Sequence, residues 1–183
     1  PKGVSQTHKC LSNLLTWQYK EMSAENTNII GVTISTFDVS VQEILYALLG
    51  GGCLHFTSEE IKLNVAMYKN YLIEHEINTV YLTPSYIKML EAYDPYLFPD
   101  CVKYFILAGE PFSICENEIT KYIGNRKIFN QYGPAETHVV TCKQINYADN
   151  VTIGRPIANT QIYILDEGGQ LLPIGVAGEL CIA

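Results

Sequence analysis

Residues 129–137, with the sequence Phe-Asn-Gln-Tyr-Gly-Pro-Ala-Glu-Thr, place an amide, a phenol, a carboxylate and a hydroxyl within one short stretch. A short apolar run, Lys-Ile-Phe at 127–129, leads into it. Gly133 and Pro134 break regular structure, because glycine tolerates unusual backbone angles and proline lacks an N–H donor. The pattern predicts a buried strand that ends in a polar loop, the position at which open α/β sheets bind ligands. An ordinary strand-to-strand turn has the same local signature.

Polar loops also follow three other predicted strands. They are Thr-Phe-Asp at 36–38, Thr-Pro-Ser at 83–85 and Ala-Gly-Glu at 108–110, and Asn-Gln-Tyr-Gly at 130–133 makes the fourth. The carboxyl ends of parallel strands meet at one edge of a sheet. We therefore expect the four loops to open into a single pocket.

These loops depend on an alternation of strands and helices along the chain. Short apolar and β-branched runs predict strands at 28–34, 53–56, 79–82, 102–107 and 128–129. Helices are predicted between or before them: one capped by Ser5 or Thr7, one from 37–40 to the glycines at 50–52, one capped by Ser58, one near 86–90 and one at 113–123. This alternation indicates a parallel sheet with helices on both faces.

The spacing of side chains predicts which face of each helix is buried. The first helix carries Leu11, Leu14, Leu15 and Gln18 at helical spacing. In the second helix, Val41, Ile44, Leu45 and Leu48 fit the i, i+3, i+4, i+7 pattern. The third helix has Ile61, Val65, Tyr68 and Leu72. We expect all three stripes to be buried.

The pattern changes near residue 150. Residues 161–165 and 179–182 are predicted to form antiparallel strands, with a turn at 166–169. The expected fold class is α/β, a mostly parallel sheet flanked by helices on both faces and followed by the start of an antiparallel β subdomain. The predicted division is residues 1–148 for the α/β subdomain and 149–183 for the first strands of the β-rich subdomain.

Composition narrows the function classes. The formal net charge is −7, which argues against nucleic acid as a partner, because phosphate-binding surfaces are normally basic. The sequence contains no run of 18 apolar residues, so it predicts no membrane span. The 6 cysteines form no Cys-x-x-Cys pair, which favours buried, reduced thiols over zinc or disulfides. A cytoplasmic protein is expected.

Five segments together carry a family resemblance. They are Pro-Lys-Gly-Val at 1–4, Phe-Asp-Val-Ser at 37–40, Ala-Gly-Glu at 108–110, Asn-Gln-Tyr-Gly-Pro-Ala-Glu at 130–136 and Gly-Glu-Leu-Cys-Ile at 178–182. In this order and spacing, the chain resembles the adenylation domains of non-ribosomal peptide synthetases, within the adenylate-forming superfamily. The resemblance covers the whole chain and implies the central part of the large N-terminal subdomain. Most of the phosphate loop, the ribose-binding aspartate and the catalytic lysine would lie outside it, so the chain alone is expected to be inactive.

The resemblance implies a two-step reaction with ATP and Mg²⁺. An amino-acid carboxylate attacks the α-phosphate to give aminoacyl-AMP, and the acyl group then passes to the phosphopantetheine thiol of a carrier domain. The expected partners are an amino-acid substrate and the peptidyl carrier and condensation domains of the same synthetase, with neither nucleic acid nor a membrane.

The resemblance also assigns roles to individual residues. Asp38 matches the carboxylate that holds the substrate ammonium, and Glu136 matches the magnesium ligand. Tyr132 and Gly109 would lie against the adenine ring, and Asn130 would bond its amino group. The implied nucleotide-binding residues are Gly109, Glu110, Pro111, Asn130, Gln131, Tyr132, Gly133 and Ala135. Ala135 departs from the hydroxyl residue that the family usually has beside the α-phosphate.

The implied substrate side-chain pocket carries no charge apart from Asp38. Its lining would be Asp38, Val39, Gln42, Tyr81, Ile106, Ala108, Gln131, Val139 and Val140. This set is similar to pockets of proline-activating domains, although Tyr81 and Gln131 depart from the commonest pattern. A substituted proline or pipecolate is therefore a further candidate substrate.

Two alternative functions remain open at this stage. An acyl- or aryl-CoA ligase of the same superfamily would have the same fold, but such enzymes usually lack the counterpart of Asp38. A non-catalytic ligand-binding module that keeps the fold is favoured only by Ala135. His138 adjoins the polar loop and is expected either at the surface or in support of the site residues.

Overall fold

Seven strands of the described residues form one sheet in the order β2-β1-β3-β4-β5-β6-β7. The computed structural model describes residues 3–22, 26–112, 125–146 and 151–183. The strands of this sheet are β1 (Asn28–Gly31), β2 (Cys53–Phe56), β3 (Thr79–Leu82), β4 (Tyr104–Leu107), β5 (Lys127–Tyr132), β6 (Thr141–Ile145) and β7 (Arg155–Pro156). β1 to β5 pair in parallel, while β6 and β7 pair antiparallel.

The helices lie on both faces of the sheet, as the sequence predicted. They are α1 (His8–Met22), α2 (Asp38–Leu49), α3 (Glu59–Leu63), α4 (Val65–Glu74) and α5 (Pro84–Glu91). One buried cluster joins α1 and α2 to Tyr81, Ile106 and Phe129, which are paired neighbours across β3, β4 and β5. A second cluster joins α4 and α5 to Leu82 and Leu107 on the opposite face. The predicted α/β fold class is confirmed.

Alternation along β5 separates two neighbouring predicted site residues. Successive side chains of a strand point to opposite faces of its sheet. Gln131 therefore shares the face of Phe129 and the α1–α2 layer, whereas Asn130 points to the other face. Both side chains are buried. The prediction placed these residues in a loop, but β5 extends to Tyr132.

α1 follows its predicted pattern. The helix begins after Thr7, whose hydroxyl accepts a hydrogen bond from the Cys10 N–H at 3.3 Å. Such a side-chain acceptor satisfies one of the N–H groups that lack a partner at a helix start. The buried residues are Leu14, Leu15, Gln18 and Met22. A glutamine therefore occupies an interior position on this helix.

The prediction for the buried face of α2 is wrong. Val41, Ile44 and Leu48 are 39%, 37% and 65% exposed. The helix instead buries Ser40, Gln42, Glu43, Tyr46 and Ala47. Polar groups can be buried where hydrogen bonds replace the lost water. Gln42 bonds to Gln131, and Glu43 accepts a hydrogen bond from Thr33 at 2.6 Å.

The helix predicted after Ser58 is divided into two. Ser58 caps α3 as expected, accepting from the Ile61 N–H at 3.4 Å. Asn64 then ends α3 and caps α4, because its side-chain oxygen accepts from the Met67 N–H at 3.1 Å. Tyr68 and Leu72 are fully buried, as predicted. The helix predicted at 113–123 lies outside the described residues.

The last two strands form a separate antiparallel sheet. β8 (Ile162–Leu165) pairs with β9 (Glu179–Ile182), which confirms the predicted change of pattern. β7 follows the predicted boundary at residues 148 and 149 but belongs to the larger sheet. The division into subdomains stays a prediction. The described helices include none that is long and apolar enough to cross a membrane, and the cysteines at 10, 53, 101, 142 and 181 are free thiols.

Candidate functional site

The loops after β3 and β4 are tied together by one carboxylate. Glu110 accepts hydrogen bonds from the backbone N–H of Ser85 at 3.0 Å and from its hydroxyl at 2.6 Å. Ser85 lies in the first turn of α5, where a negative charge is favourable. Gly109 has a φ of +86°, in the region that favours glycine. Two of the four predicted loops therefore meet at this edge.

The loop between β5 and β6 folds back tightly on itself. The Val140 N–H donates to the Tyr132 carbonyl at 2.8 Å, and the His138 N–H donates to the Pro134 carbonyl at 3.0 Å. A Cβ at Gly133 would lie 1.7 Å from the His138 carbonyl oxygen. The loop can therefore close in this form only around glycine.

Asp38 is held at the start of α2 and is only partly covered. Its Oδ1 accepts from the Val39 N–H at 2.8 Å, and its side chain is 30% exposed. The first turn of a helix is a favourable position for a carboxylate, because the helix dipole is positive there. This hydrogen bond leaves Oδ2 as the oxygen that a ligand could use.

His138 joins the β5–β6 loop to Asp38. Its ring Nδ1 accepts from the Val139 N–H at 2.9 Å, and its Nε2 lies 3.1 Å from the Asp38 carbonyl oxygen. A ring whose Nδ1 accepts and whose Nε2 donates is the neutral tautomer. Burial lowers the pKa of His138, and the nearby Asp38 opposes that shift. His138 is 3% exposed, so the expected surface position is wrong and the supporting role agrees with the structure.

Asp38 and His138 line a cavity of about 550 Å³. Small-molecule sites commonly have volumes of about 300–1,000 Å³. The described lining consists of Gly3, Val4, Gln6, Thr7, His8, Leu11, Ser35, Thr36, Phe37, Asp38, Val41, Ala135 and His138. Asp38 is the one carboxylate among these residues, and Ala135 is the other predicted site residue.

The start of α1 forms a wall of the cavity that the sequence interpretation missed. The Gln6 side chain donates to the Ala135 carbonyl, and the Cys10 thiol contacts the Thr137 carbonyl at 3.2 Å. Both contacts bridge more than 120 positions of sequence. No local pattern in the sequence could have connected these segments.

Three predicted pocket residues meet in a buried amide network. Gln42 Nε2 donates to Gln131 Oε1 at 3.0 Å and also to Gln18 Oε1. Gln18 Nε2 donates to the Tyr81 hydroxyl at 2.6 Å. Gln42, Tyr81 and Gln131 were predicted site residues, whereas Gln18 was not. Its sequence signal is a glutamine at a buried position of the α1 stripe.

Two apolar residues of the predicted pocket lie in the buried cluster that contains Tyr81. Ile106 is fully buried on the same face of the sheet as Tyr81, and Val39 packs against the same cluster. Ala108 is half-buried at the end of β4. Val139 and Val140 are buried, and Val139 packs with Leu14 and Ile157 in a neighbouring cluster.

The predicted nucleotide-binding residues lie mainly on the open edge. Tyr132 is 38% exposed, and the exposed group also contains Gly109, Glu110, Pro111, Gly133 and Ala135. Asn130 differs from these, because it is buried and its side-chain amide donates to the Thr152 carbonyl at 2.9 Å. The adenine contact expected of Asn130 stays a prediction.

The sequence profile of the AMP-binding enzyme family matches residues 1–183. The chain belongs to this AMP-binding family. It is 38% identical to tyrocidine synthase 2 of Brevibacillus parabrevis and 36% identical to gramicidin S synthase 2 of Brevibacillus brevis, covering 100% of the chain in both cases and 5% and 4% of the two relatives. It also matches the crystal structure of a four-domain nonribosomal peptide synthetase bound to AMP and glycine, with 31% identity and a TM-score of 0.87, covering 100% of the chain and 14% of that protein.

These findings confirm the family resemblance that the sequence motifs indicated. The chain spans a small part of each relative, and the matched synthetases are much longer proteins. It corresponds to a portion of an adenylation domain of a non-ribosomal peptide synthetase. The activity, substrates and partners of the whole protein are taken up as proposals.

Glu136, the predicted magnesium ligand, fits a site in which one carboxylate binds Mg²⁺ together with phosphates and water. Glu136 is exposed in the β5–β6 loop. The described residues contain no group of three or more His, Cys, Asp or Glu side chains that could hold a metal ion. Mg²⁺ is commonly bound by one or two carboxylates together with substrate phosphates and water. A single exposed carboxylate suits that arrangement and does not suit an all-protein cage.

Proposed function

We propose that this chain recognises the amino acid in a peptide-synthetase adenylation domain that uses Mg-ATP to make aminoacyl-AMP. The observation that carries the proposal is Asp38, a partly exposed carboxylate at the wall of a cavity of suitable volume. The family membership supports the same reaction class. No other acid belongs to the described lining of that cavity.

Asp38 would hold the substrate ammonium. A hydrogen bond to a charged group contributes roughly 1.5–3 kcal/mol. The hydrogen bond from the Val39 N–H fixes the carboxylate, and the His138 ring fixes the backbone at the same residue. A carboxylate that is already oriented loses less entropy when it binds a ligand. An acid substrate without an amino group would gain nothing from this arrangement.

The predicted side-chain pocket, which is neutral apart from Asp38, favours a small, uncharged substrate side chain. Gln42, Tyr81 and Gln131 supply polar but neutral groups, while Val39, Ile106, Ala108, Val139 and Val140 are apolar. We propose proline or a related cyclic imino acid, including pipecolate or a substituted proline, as the substrate. A compact aliphatic ring would match the apolar part of this set. A charged side chain would be desolvated without a partner, which is costly.

The proposed chemistry begins with attack by a carboxylate oxygen of the amino acid on the α-phosphorus. The bond from that phosphorus to the bridging oxygen breaks, and pyrophosphate leaves. A thiolate on a carrier-domain phosphopantetheine then attacks the acyl carbon, and AMP leaves. Both steps depend chiefly on positioning and charge stabilisation. Our proposal gives Asp38 the positioning of the amino acid.

The exposed residues at the strand ends would position the nucleotide. The half-exposed ring of Tyr132 offers a flat apolar surface for a purine, and Gly109 permits close approach to its backbone. The remaining proposed contacts are Glu110, Pro111, Asn130, Gln131, Gly133 and Ala135. Glu136 would hold Mg²⁺, which supplies neutralisation of phosphate charge when it is bound.

The proposed partners follow from the second step. The acyl group must be transferred to a carrier domain, and a condensation domain would consume the resulting thioester. A cytoplasmic location of the whole protein is also part of this proposal.

Amino-acid-dependent ATP–pyrophosphate exchange tests the proposed function. The measurement uses the adenylation domain that contains this chain, with each proteinogenic amino acid and with pipecolate. The expected result is exchange that depends on proline or pipecolate and is weak with Asp, Glu, Lys and Arg.

A signal from a different small aliphatic amino acid would keep the reaction and discard the proposed substrate. Folded protein that shows no exchange with any amino acid would overturn the proposal. An acyl- or aryl-CoA ligase would then be tested with carboxylic acids that lack an amino group.

A further inference from the structure

Three buried glutamine amides and the Tyr81 hydroxyl form a hydrogen-bonded chain, here called the amide chain, that links four elements. It runs from Tyr81 on β3 to Gln18 on α1, then to Gln42 on α2 and Gln131 on β5. Gln18 and Gln42 are 0% exposed, Tyr81 is 1% exposed and Gln131 is 3% exposed. Gln42 follows Asp38 by one helical turn, and side chains at this spacing lie on the same helix face.

The hydrogen bonds of Gln42 consume all of its donors. An amide side chain has two N–H donors and a carbonyl acceptor. One donor of Gln42 goes to Gln18 Oε1 and the other goes to Gln131 Oε1. Its own Oε1 is buried and has no partner among the described residues. Gln131 Nε2 is likewise buried without a partner in the described part of the chain.

These two atoms are an unused acceptor and an unused donor. A buried polar atom without a hydrogen bond costs roughly 1–3 kcal/mol, so native structures usually supply a partner. Gln42 Oε1 requires a donor and Gln131 Nε2 requires an acceptor. The amino or imino N–H groups of the substrate supply a donor for Gln42 Oε1 beside Asp38, while the substrate carboxylate stays free to attack the α-phosphorus.

We propose that Gln18 is a specificity-determining positioning residue that acts through Gln42. The inference rests on the proposed amino-acid activation. Gln18 holds one N–H of Gln42 and thereby fixes the direction in which the Gln42 carbonyl is presented. Without Gln18, that N–H is left buried and unbonded, and the amide can rotate to find another acceptor. The substrate would then meet a donor and an acceptor in more than one arrangement.

The test replaces Gln18 with Met in the adenylation domain that contains this chain. Methionine has a similar length and no amide, so it fills the space without holding Gln42. We expect the KM for the cognate amino acid in ATP–pyrophosphate exchange to rise about tenfold. The KM for ATP is expected to change by less than about twofold, because the nucleotide residues lie outside the amide chain.

Met22→Leu is the matched control on the same helix. Met22 is buried in the same cluster of side chains and makes no polar contact to the amide chain. This swap keeps the volume and should leave both KM values unchanged. A purely structural role for Gln18 would lower the thermal stability of the Gln18→Met variant without separating its two KM values.

A double mutant tests the route through Gln42. If Gln18 acts through Gln42, the combination of Gln18→Met with Gln42→Leu has the same amino-acid KM as Gln42→Leu alone. Independent, multiplicative increases would overturn the inference. Should Gln18→Met fail to fold, Tyr81→Phe removes the other partner of Gln18 and is expected to raise the amino-acid KM by a smaller factor.

The outcomes separate this inference from the proposed function. Wild-type domain that shows no amino-acid-dependent exchange overturns both. Active wild-type domain with an unchanged amino-acid KM in Gln18→Met and Tyr81→Phe overturns the inference and leaves the proposed function standing. An equal rise in the KM for ATP and for the amino acid also contradicts a positioning role at the amino acid.

Discussion

At the scale of single residues, Asp38 combines a structural contact with the recognition role that we propose for it. Its Oδ1 accepts a hydrogen bond from the Val39 N–H in the first turn of α2, and the residue borders the cavity. The proposed contact with the substrate can use the other oxygen, so the two roles do not compete. A substitution that keeps one acceptor oxygen for the Val39 N–H can therefore separate recognition from folding.

Asp38→Asn should impair amino-acid binding while leaving the fold intact. The side-chain oxygen of asparagine can still accept from the Val39 N–H, but asparagine carries no charge for an ammonium group. A loss of about 1.5–3 kcal/mol corresponds to roughly a 10- to 150-fold lower kcat/KM for the amino acid. Steady-state exchange kinetics and a thermal melt measure the two effects. Asp94→Asn is the control, because Asp94 pairs with Lys69 outside the cavity. Unchanged selectivity of the Asp38→Asn variant would remove Asp38 from substrate recognition.

Gly133→Ala should disrupt the site through the backbone alone. An added Cβ would lie 1.7 Å from the His138 carbonyl oxygen, so the β5–β6 loop must open and move His138 away from Asp38. We expect a loss of about 2 kcal/mol or more in the free energy of unfolding, together with weaker amino-acid binding. Urea denaturation and exchange kinetics provide the measurements.

Gly31→Ala is the matched control for Gly133→Ala. A Cβ at Gly31 would make ordinary contacts of 3.4 Å or more with its neighbours. The expected change in the free energy of unfolding is small. Equal effects of the two substitutions would show that the close approach at Gly133 is not the cause.

At the scale of elements, α2 shows what the sequence could and could not predict. Its bounds and its acidic start were predictable, because Asp38 and the glycines at 50–52 mark the two ends. Its buried face was not, because that face depends on partners from distant segments. Gln42 is buried because Gln18 and Gln131 bond to it, and those residues lie 24 and 89 positions away.

Glu43 makes a second buried polar contact on α2, at the end of β1. It accepts a hydrogen bond from the Thr33 hydroxyl. The charge of Lys62 lowers the pKa of Glu43, and the charge of Glu43 in turn raises the pKa values of Tyr68 and Tyr81. Burial raises the pKa of Glu43 from 4.5 to about 7, against the opposing effects of its hydrogen bonds and Lys62. The folded state therefore holds this proton more tightly than the unfolded state.

Glu43→Gln should change how stability depends on pH. The contribution of the raised pKa is fully present below pH 4.5 and is lost as the pH rises through about 7. Glutamine has no proton to lose. The free energy of unfolding of the variant should therefore increase relative to that of the wild type between pH 5 and pH 8, by at most about 3 kcal/mol. Urea denaturation across this pH range measures the difference. Glu60→Gln, at an exposed position on α3, is the control substitution of the same type. Parallel curves for Glu43→Gln would contradict the prediction.

At the scale of the whole molecule, the two sheets differ in burial. Every residue of β3 is buried, whereas β8 and β9 contain no fully buried residue. A pair of strands without a covered face is marginally stable. Local opening is easiest where few apolar groups are buried. The small sheet is therefore expected to open more readily than the centre of the large one.

Hydrogen–deuterium exchange can compare the two sheets directly. Amides of β3 and β4 should exchange only in the slowest phase, while those of β8 and β9 should exchange by faster, local opening. Peptide-level mass spectrometry resolves the two groups within one sample. Equal protection of both sheets would contradict the ordering and would require burial of β8 and β9 that the described residues do not provide.

Predictability from the sequence also differs with scale. The parallel sheet, the position of Asp38 at the start of a helix and the antiparallel pair at the C-terminal part of the chain were predicted from local patterns. β6 and β7 were not, because Thr141–Ile145 and Arg155–Pro156 carry weak strand signals and join the sheet through their partners. His138 and Gln18 entered the site for the same reason: their roles depend on contacts, and single positions do not encode them.

The amide chain has a consequence for exchanging segments between relatives. Gln18 lies on α1, whereas its partners lie on α2, β3 and β5. A chimaera joined between α1 and α2 would combine an amide from one parent with a pocket from the other. Junctions placed before α1 keep all four residues from a single parent, and chimaeras built that way should retain the donor's substrate preference more faithfully.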